Sequence, residues 1–312
     1  MRAPGIHHVT ALASDPQANL DFYTGVLGLR LVKQTVNFDA PDVYHLYYGD
    51  AQGSPGSILT FFPFVNAAPG RRGTGEISAV RFSIPPDSLG FWISRFAQYD
   101  VPMKGPETQF GEEVLTCEDP DGLQIELLED EGAEVAGHSG SRIPPEYILQ
   151  RICGVTIVER ELSPTARFLS SIPGILPGTS GANLHRFSTG DGPARSVVDI
   201  LVQPDEDEGV QSAGSVHHIA WRAHTAAEQL EWREQIVATG TPVTQVLDRK
   251  YFRSIYFREP GGVLCEIATD SPGFTVDEPG DSLGRRLMLP SWLESERQRL
   301  ERILPPLRQS PR

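Results

Sequence analysis

The sequence predicts an α+β protein of four repeated βαβββ modules, paired into two domains with cup-like mixed sheets and followed by a C-terminal helix. Three observations predict it. Four short strand-like runs recur along the 312 residues, at 5–12, 76–84, 151–158 and 215–222. Each gives way to a helical stretch and then to shorter β-type runs broken by Gly and Pro. Finally, His-His followed by an aliphatic residue occurs twice, as Ile6-His7-His8-Val9 and Val216-His217-His218-Ile219, at matching positions of this repeat.

The four helices carry start signals. Asp15-Pro16 precedes the stretch 19–27, Pro86-Asp87 precedes 89–96, Ser163-Pro164 precedes 166–169, and Thr225 precedes 230–237. The second module closes with Asp119-Pro-Asp-Gly-Leu-Gln-Ile-Glu126 and the fourth with Glu259-Pro-Gly-Gly-Val-Leu-Cys-Glu266. In both, a tight turn leads into a strand that carries a carboxylate. Spacing supports the alignment: His218 to Glu266 is 48 residues, Ala79 to Glu126 is 47, and Gly154 to Asp199 is 45. A period near 70 residues is too long for a solenoid repeat and fits small modules whose sheets pair.

In chain order this gives an N-terminal domain, 1–135, with modules 5–65 and 75–130, and a linker, 136–150. A C-terminal domain, 151–275, follows with modules 151–203 and 214–270. The tail 276–312 contains an amphipathic helix over 287–307, stopped by Pro305-Pro306 and read as packing.

Composition sets outer bounds. The chain is 39% hydrophobic and 22% charged, with a net charge of -14 from 27 basic and 41 acidic residues, so no nucleic-acid partner is expected. The tracts 126–131 and 205–208 read as solvated acidic loops. Neither an apolar leader core at Met1-Arg-Ala-Pro-Gly nor a long apolar run appears, so no membrane role and a cytoplasmic location are expected. Three scattered cysteines, Cys117, Cys153 and Cys265, make no disulfide framework. Strand alternation turns Cys265 away from Glu266, into the core.

Two positions per module recur, one in the opening strand and one in the last. They hold His8 and the Thr60/Phe61 region, Ala79 and Glu126, Gly154 and Asp199, and His218 and Glu266. Pairing the first module with the second gives one His and one Glu, and pairing the third with the fourth does little better. Pairing the first with the fourth collects His8, His218 and Glu266 at one site. Two imidazoles and one carboxylate hold a divalent iron or manganese ion on one face and leave the other positions open. A catalytic zinc with the same donors is the alternative. A strand histidine taken alone is more often a hydrogen-bonded core residue; it is the duplication that favours a metal. His7 and His217 alternate to the opposite strand face, Glu126 is a remnant or structural acid, and His45, His138, His185 and His224 have no such context.

The chain resembles the vicinal oxygen chelate superfamily. More closely, it resembles the hydroquinone-cleaving branch of its ring-cleaving dioxygenases, typified by the 2,6-dichlorohydroquinone and methylhydroquinone enzymes. The carrying segments are 5–10, 21–41, 44–50, 59–63, 216–220 and 247–270, dense in the first and fourth modules. The resemblance implies iron(II) at His8, His218 and Glu266, with Mn(II) or another divalent ion as the alternative. It implies supporting or substrate-contacting roles for His7, Thr10, His217, Arg249 and Tyr256, with an aromatic diol and O2 as the partners and a homo-oligomer as a further expectation.

Each role has a physical basis. Arg249 is always charged and suits a phenolate, its plainer role being a surface pair with Asp248. Tyr256 donates a proton or orients the substrate oxygen. His217, titrating near neutrality, takes the phenol proton. Thr10 shares a strand face with His8. Phe61, Phe62, Tyr251 and Phe252 are candidate pocket rings. The rival activities are a glyoxalase-type isomerase or thiol transferase, which needs a fourth protein ligand, and a non-catalytic binding module, which does not need the triad.

Overall fold

The computed structural model describes residues 5–130, 141–172, 174–189 and 195–309, so His138 and part of the expected linker lie outside the described residues. The first module comprises β1 (Ile6–Ala13), α1 (Pro16–Asp21), β2 (Arg30–Asn37), β3 (Ala40–Gly49) and β4 (Ile58–Pro63). The second comprises β5 (Glu76–Ile84), α2 (Leu89–Gln98), β6 (Met103–Gln109), β7 (Glu112–Glu118) and β8 (Gln124–Glu129). The third follows with β9 (Ile152–Glu159), α3 (Leu162–Ser171), β10 (Ile175–Ser180), β11 (Leu184–Thr189) and β12 (Val197–Val202). The fourth holds β13 (Val216–Ala223), α4 (Ala226–Ala238), β14 (Leu247–Asp248), β15 (Phe252–Arg258) and β16 (Leu264–Pro272), and the tail ends in α5 (Arg297–Ile303).

Local chemistry sets the helix starts. The Asp15 carboxylate accepts from the backbone N–H groups of Gln17 and Ala18, and Pro16 fills the first turn, where no N–H is missed. Thr225 caps α4 through the Glu228 N–H. In the third module the expected Ser163-Pro164 start lies inside the first turn of α3, with Glu161 at the cap position. A proline there costs no helical hydrogen bond, so the helix begins earlier than expected. α1 runs directly into one π-helical turn, Phe22–Val26, in which Tyr23 donates its hydroxyl proton to Asp119 at 3.0 Å.

The architecture is α+β, with two curled eight-stranded mixed sheets. One has the order β14-β15-β16-β13-β1-β4-β3-β2 and the other β10-β11-β12-β9-β5-β8-β7-β6. The first sheet therefore joins the first and fourth modules, and the second joins the second and third. The division into 1–135 and 151–275 follows chain order, whereas sheet partnership crosses it. Each opening strand has its own last strand on one side and an open edge on the other. That edge must be paired, and nothing local selects which opening strand pairs it.

The β1–β13 junction carries two register shifts. Ile6 faces Trp221 and His8 faces Ala220, while Thr10 faces His218 and Ala11 faces Val216. His7 and His217 are thus the extra residues of two β-bulges related by a local pseudo-twofold. The β5–β9 junction repeats the arrangement, with Ser78 and Cys153 as the extra residues.

Apolar faces of both sheets and the helices form the core, with Val9, Val80, Val155 and Ile219 fully buried. The tail runs along the edge of β2, where the Met288 N–H donates to the Gln34 carbonyl at 2.9 Å. It shields an edge strand that would otherwise be free to pair. The expected helix over 287–307 is shorter than its apolar pattern: a 3₁₀ turn, Ser291–Glu296, precedes α5, and Leu304 leaves the helical region ahead of Pro305. Among the described residues no helix is long and apolar enough to cross a membrane.

Candidate metal centre

Partnership of β1, β13 and β16 brings His8, His218 and Glu266 together as a buried group of three potential donors. The His8 and His218 Nε2 atoms are 3.4 Å apart, and they stand 3.3 and 2.9 Å from Glu266 Oε2. Neighbouring donors around a divalent first-row ion, with bonds of about 2.1 Å, lie roughly 3 Å apart. The spacing therefore fits. Glu266 is fully buried, and neither of its oxygens receives a hydrogen bond of good geometry. A buried carboxylate so placed needs a cation. Burial pushes the Glu266 carboxyl up, but His8 and His218 outweigh it and hold it well below the ordinary carboxylate range.

The first histidine of each pair aims the second. His8 Nδ1 is 2.9 Å from His7 Nδ1, and His218 Nδ1 is 2.7 Å from His217 Nδ1. For Nε2 of His8 and His218 to offer lone pairs, their Nδ1 atoms carry the protons and donate to His7 and His217. The bulges make this possible. On a regular strand His7 and His217 would turn to the opposite face, as alternation predicts, whereas a bulge lets neighbouring side chains meet. Burial and the adjacent His8 push His7 down to about 3, and burial and His218 push His217 to about 3. The expectation that His217 titrates near neutrality is thereby corrected: it remains neutral, with its Nε2 proton available to donate.

A cavity of about 360 Å³ opens beside the triad. Of the residues singled out from sequence, His217, Arg249, Phe252, Tyr256 and Phe62 line it. Arg249 pairs not with Asp248 but with Asp39, at 3.0 Å, and its Nε donates to the Tyr256 hydroxyl at 3.3 Å. The Phe252 ring lies 5.0 Å from that of His8. Four candidates lie off the cavity surface. His7 is buried between His8 and Phe252. Thr10 is fully buried and accepts from the Thr60 hydroxyl at 2.9 Å. Tyr251 sits behind the cavity wall with its hydroxyl on Asp277 at 3.1 Å. Phe61 points into the core against Tyr23.

His45 is the residue that sequence reasoning passed over. It lines the cavity between Tyr47 and Phe62, with ring centroids 3.9 and 4.3 Å away. Its Nδ1 lies 2.8 Å from the Tyr47 hydroxyl and its Nε2 2.8 Å from Thr60 Oγ1. Thr60 faces Thr10 as Glu266 faces Ala220, so it occupies the fourth corner of the pseudo-twofold site. Because Thr60 donates to Thr10, it accepts from His45 Nε2–H, and Tyr47 donates to His45 Nδ1. Burial, with His8 and His218 nearby, holds His45 well below its usual range, and therefore neutral. A usable signal existed in the strand pairing of β3 and β4, which a scan of repeat positions does not contain.

The second sheet builds the corresponding corner without a metal group. Ala79 and Gly154 stand at the histidine positions, and Arg81 lies between the carboxylates, its Nη2 2.7 Å from Glu126 and its Nη1 2.9 Å from Asp199. Arg186 completes the cluster on Asp199 at 2.8 Å. Glu126, expected in a solvated tract, is instead a buried structural acid.

Comparison with known proteins agrees with this architecture. The model of the Glyoxalase/Bleomycin resistance protein/Dioxygenase superfamily matches residues 5–127 and 165–267. A Bacillus subtilis protein named as a ring-cleaving dioxygenase, MhqO, is 43% identical over 97% of this chain and 96% of its own length. A Sphingobium indicum protein, named chlorohydroquinone/hydroquinone 1,2-dioxygenase, is 33% identical over 97% and 96%. The crystal structure of a Bacillus subtilis protein described as a dioxygenase superposes with a TM-score of 0.94, at 41% identity and 98% coverage of both chains. Maize glyoxalase I shares the fold at a TM-score of 0.61 and 14% identity, over 86% of this chain and 92% of its own. With a family model matching most of the chain and relatives covering nearly all of it, this protein belongs to the Glyoxalase/Bleomycin resistance protein/Dioxygenase superfamily.

Proposed function

We propose that the chain is a metal-dependent ring-cleaving dioxygenase acting on a substituted hydroquinone, with catechols as the neighbouring substrate class. The observation that carries this is the buried His8–His218–Glu266 triad opening onto an aromatic-walled cavity. The relatives named as ring-cleaving dioxygenases and as a hydroquinone dioxygenase support it.

His8, His218 and Glu266 would hold the divalent ion, with iron(II) expected from the donor set. When bound, that ion supplies a Lewis acid and a one-electron partner for the diol and O2. The protein's own groups do the rest. His45, Phe62, Phe252 and Tyr256 offer flat walls to a planar ring. Arg249 places a permanent positive charge where a phenolate forms. Since the Tyr256 oxygen accepts from Arg249, its own proton is free to point into the cavity and donate to a substrate oxygen. The His217 Nε2–H supplies a second donor. Cleavage is of extradiol type, at the bond between a hydroxyl-bearing carbon and its neighbour, and both oxygen atoms enter the open-chain acid.

The test is anaerobic reconstitution with Fe(II), then oxygen uptake with methylhydroquinone, chlorohydroquinone and catechol in parallel. Uptake that requires both iron and a hydroquinone is expected. Bound iron with no uptake on any diol would overturn the proposal in favour of an isomerase or thiol transferase, assayed next with methylglyoxal and a thiol. Thr60 at the fourth corner weighs against that alternative.

A further inference from the structure

The C-terminal segment beyond β16 contributes more than packing. Asp277, just after a 3₁₀ turn at Phe274–Val276, is the meeting point of two parts of the first sheet. Its Oδ1 accepts from Lys33 Nζ of β2 at 2.7 Å. Its Oδ2 receives Lys250 Nζ at 2.6 Å and the Tyr251 hydroxyl at 3.1 Å, both from the turn between β14 and β15. Lys33 is fully buried and also holds Glu278 Oε2 at 2.5 Å, so two ammonium groups meet two carboxylates and the charge closes locally. Lys250 is tied down a second time by the Leu289 carbonyl at 2.7 Å.

That turn serves the cavity. Arg249 immediately precedes Lys250, and Phe252 immediately follows Tyr251. Lys250 has a left-handed backbone, φ 67°, which a residue with a Cβ adopts only when its surroundings hold it. The Tyr251 N–H closes onto the Arg249 carbonyl at 2.8 Å, and Gly273 ties the Tyr251 carbonyl to the tail at 2.8 Å. Pulling Lys250 and Tyr251 towards Asp277 sends the neighbouring Arg249 and Phe252 side chains to the cavity.

We infer that Asp277 is a positioning residue of the active site: it clamps Lys250 and Tyr251 to the tail and so fixes the direction in which Arg249 and Phe252 enter the cavity. This rests on the proposed dioxygenase reading for its kinetic consequence, but not for its structural one. Asp277 touches neither the triad nor the cavity, and acts through the turn.

The test has two readouts on the Fe(II)-loaded protein. The first is a double-mutant cycle of Asp277→Ala with Arg249→Ala in kcat/KM for methylhydroquinone. Asp277→Ala alone is expected to lower kcat/KM about tenfold, and to cost little further once Arg249 is gone. Because Asp277→Ala strips a partner from buried Lys33, Lys250→Gln is run beside it; it removes only the more exposed arm of the clamp and should show the same coupling. The second readout is hydrogen exchange of the backbone amides 248–253. They should exchange about tenfold faster in either variant, with β13 and β16 unchanged. Fully additive kinetic losses, or unchanged exchange at 248–253, would overturn the inference. If the wild-type protein shows no oxygen uptake with any diol, the functional proposal fails and the exchange measurement still decides the clamp.

Discussion

At the scale of single residues, the site is a matter of donor type and proton direction. His218→Ala and Glu266→Gln each remove one of three donors, and metal retention after dialysis should be lost, as measured by elemental analysis. Glu126→Gln, in the matching strand position of the other sheet, should retain full metal content, because the Arg81 guanidinium and not a metal ion faces that carboxylate. Retention of metal in both of the first two variants would overturn the assignment. Tyr256→Phe keeps the triad and the Arg249 cation but removes the proton aimed at the cavity. If Tyr256 acts as the proposed proton donor, the substitution should lower kcat about a hundredfold with metal content unchanged.

Elements place those residues, and their irregularities matter most. Regular alternation along β1 and β13 would send His7 and His217 away from His8 and His218; the two bulges let each pair share a hydrogen bond through its Nδ1 atoms. The same junction in the second sheet, with Ser78 and Cys153 in the bulges, has turned the equivalent corner into an ion cluster. Arg81 is completely buried there between Glu126 and Asp199. Arg81→Met strands the buried Glu126 carboxylate and leaves Asp199 with Arg186 alone, and should destabilise the fold by about 3–5 kcal/mol in urea unfolding. Metal content of the surviving folded fraction should be unchanged.

In the whole molecule, successive modules meet through buried acids as well as through apolar contacts. Asp119 accepts from Tyr23 of the first module, and Glu259 accepts from Thr165 of the third at 2.7 Å. Beside Glu259 lies Glu159, which burial and the neighbouring carboxylate push up to about 8. A carboxyl whose pKa is raised in the folded state is neutral at no cost below its ordinary value. It loses stability as pH rises from there through the folded value. Glu159→Gln should therefore melt about 2–4 °C above wild type at pH 9, and the difference should vanish near pH 4. Equal midpoints at pH 9 would remove Glu159 from the pH dependence of this junction.

Much of this was legible in the chain because it is periodic. The opening strands, the capped helices α1 and α4 and the Pro-x-Gly turns follow from local propensity, and the repeat aligns His8, His218 and Glu266 without any coordinates. What is not periodic stayed hidden. Strand propensity names the unpaired edge of each opening strand but not its partner; the donor set points to the first and fourth modules sharing a site, and tertiary structure joins them in one sheet. The tail helix lost its first turns to packing along β2. His45 and Asp277 act through strand register and through a turn that meets the tail, contacts between residues far apart in sequence. The sequence by itself determined the modules and the donor set. Only tertiary structure decided which modules share a sheet and which side chains surround the donors, because those depend on contacts that no local pattern encodes.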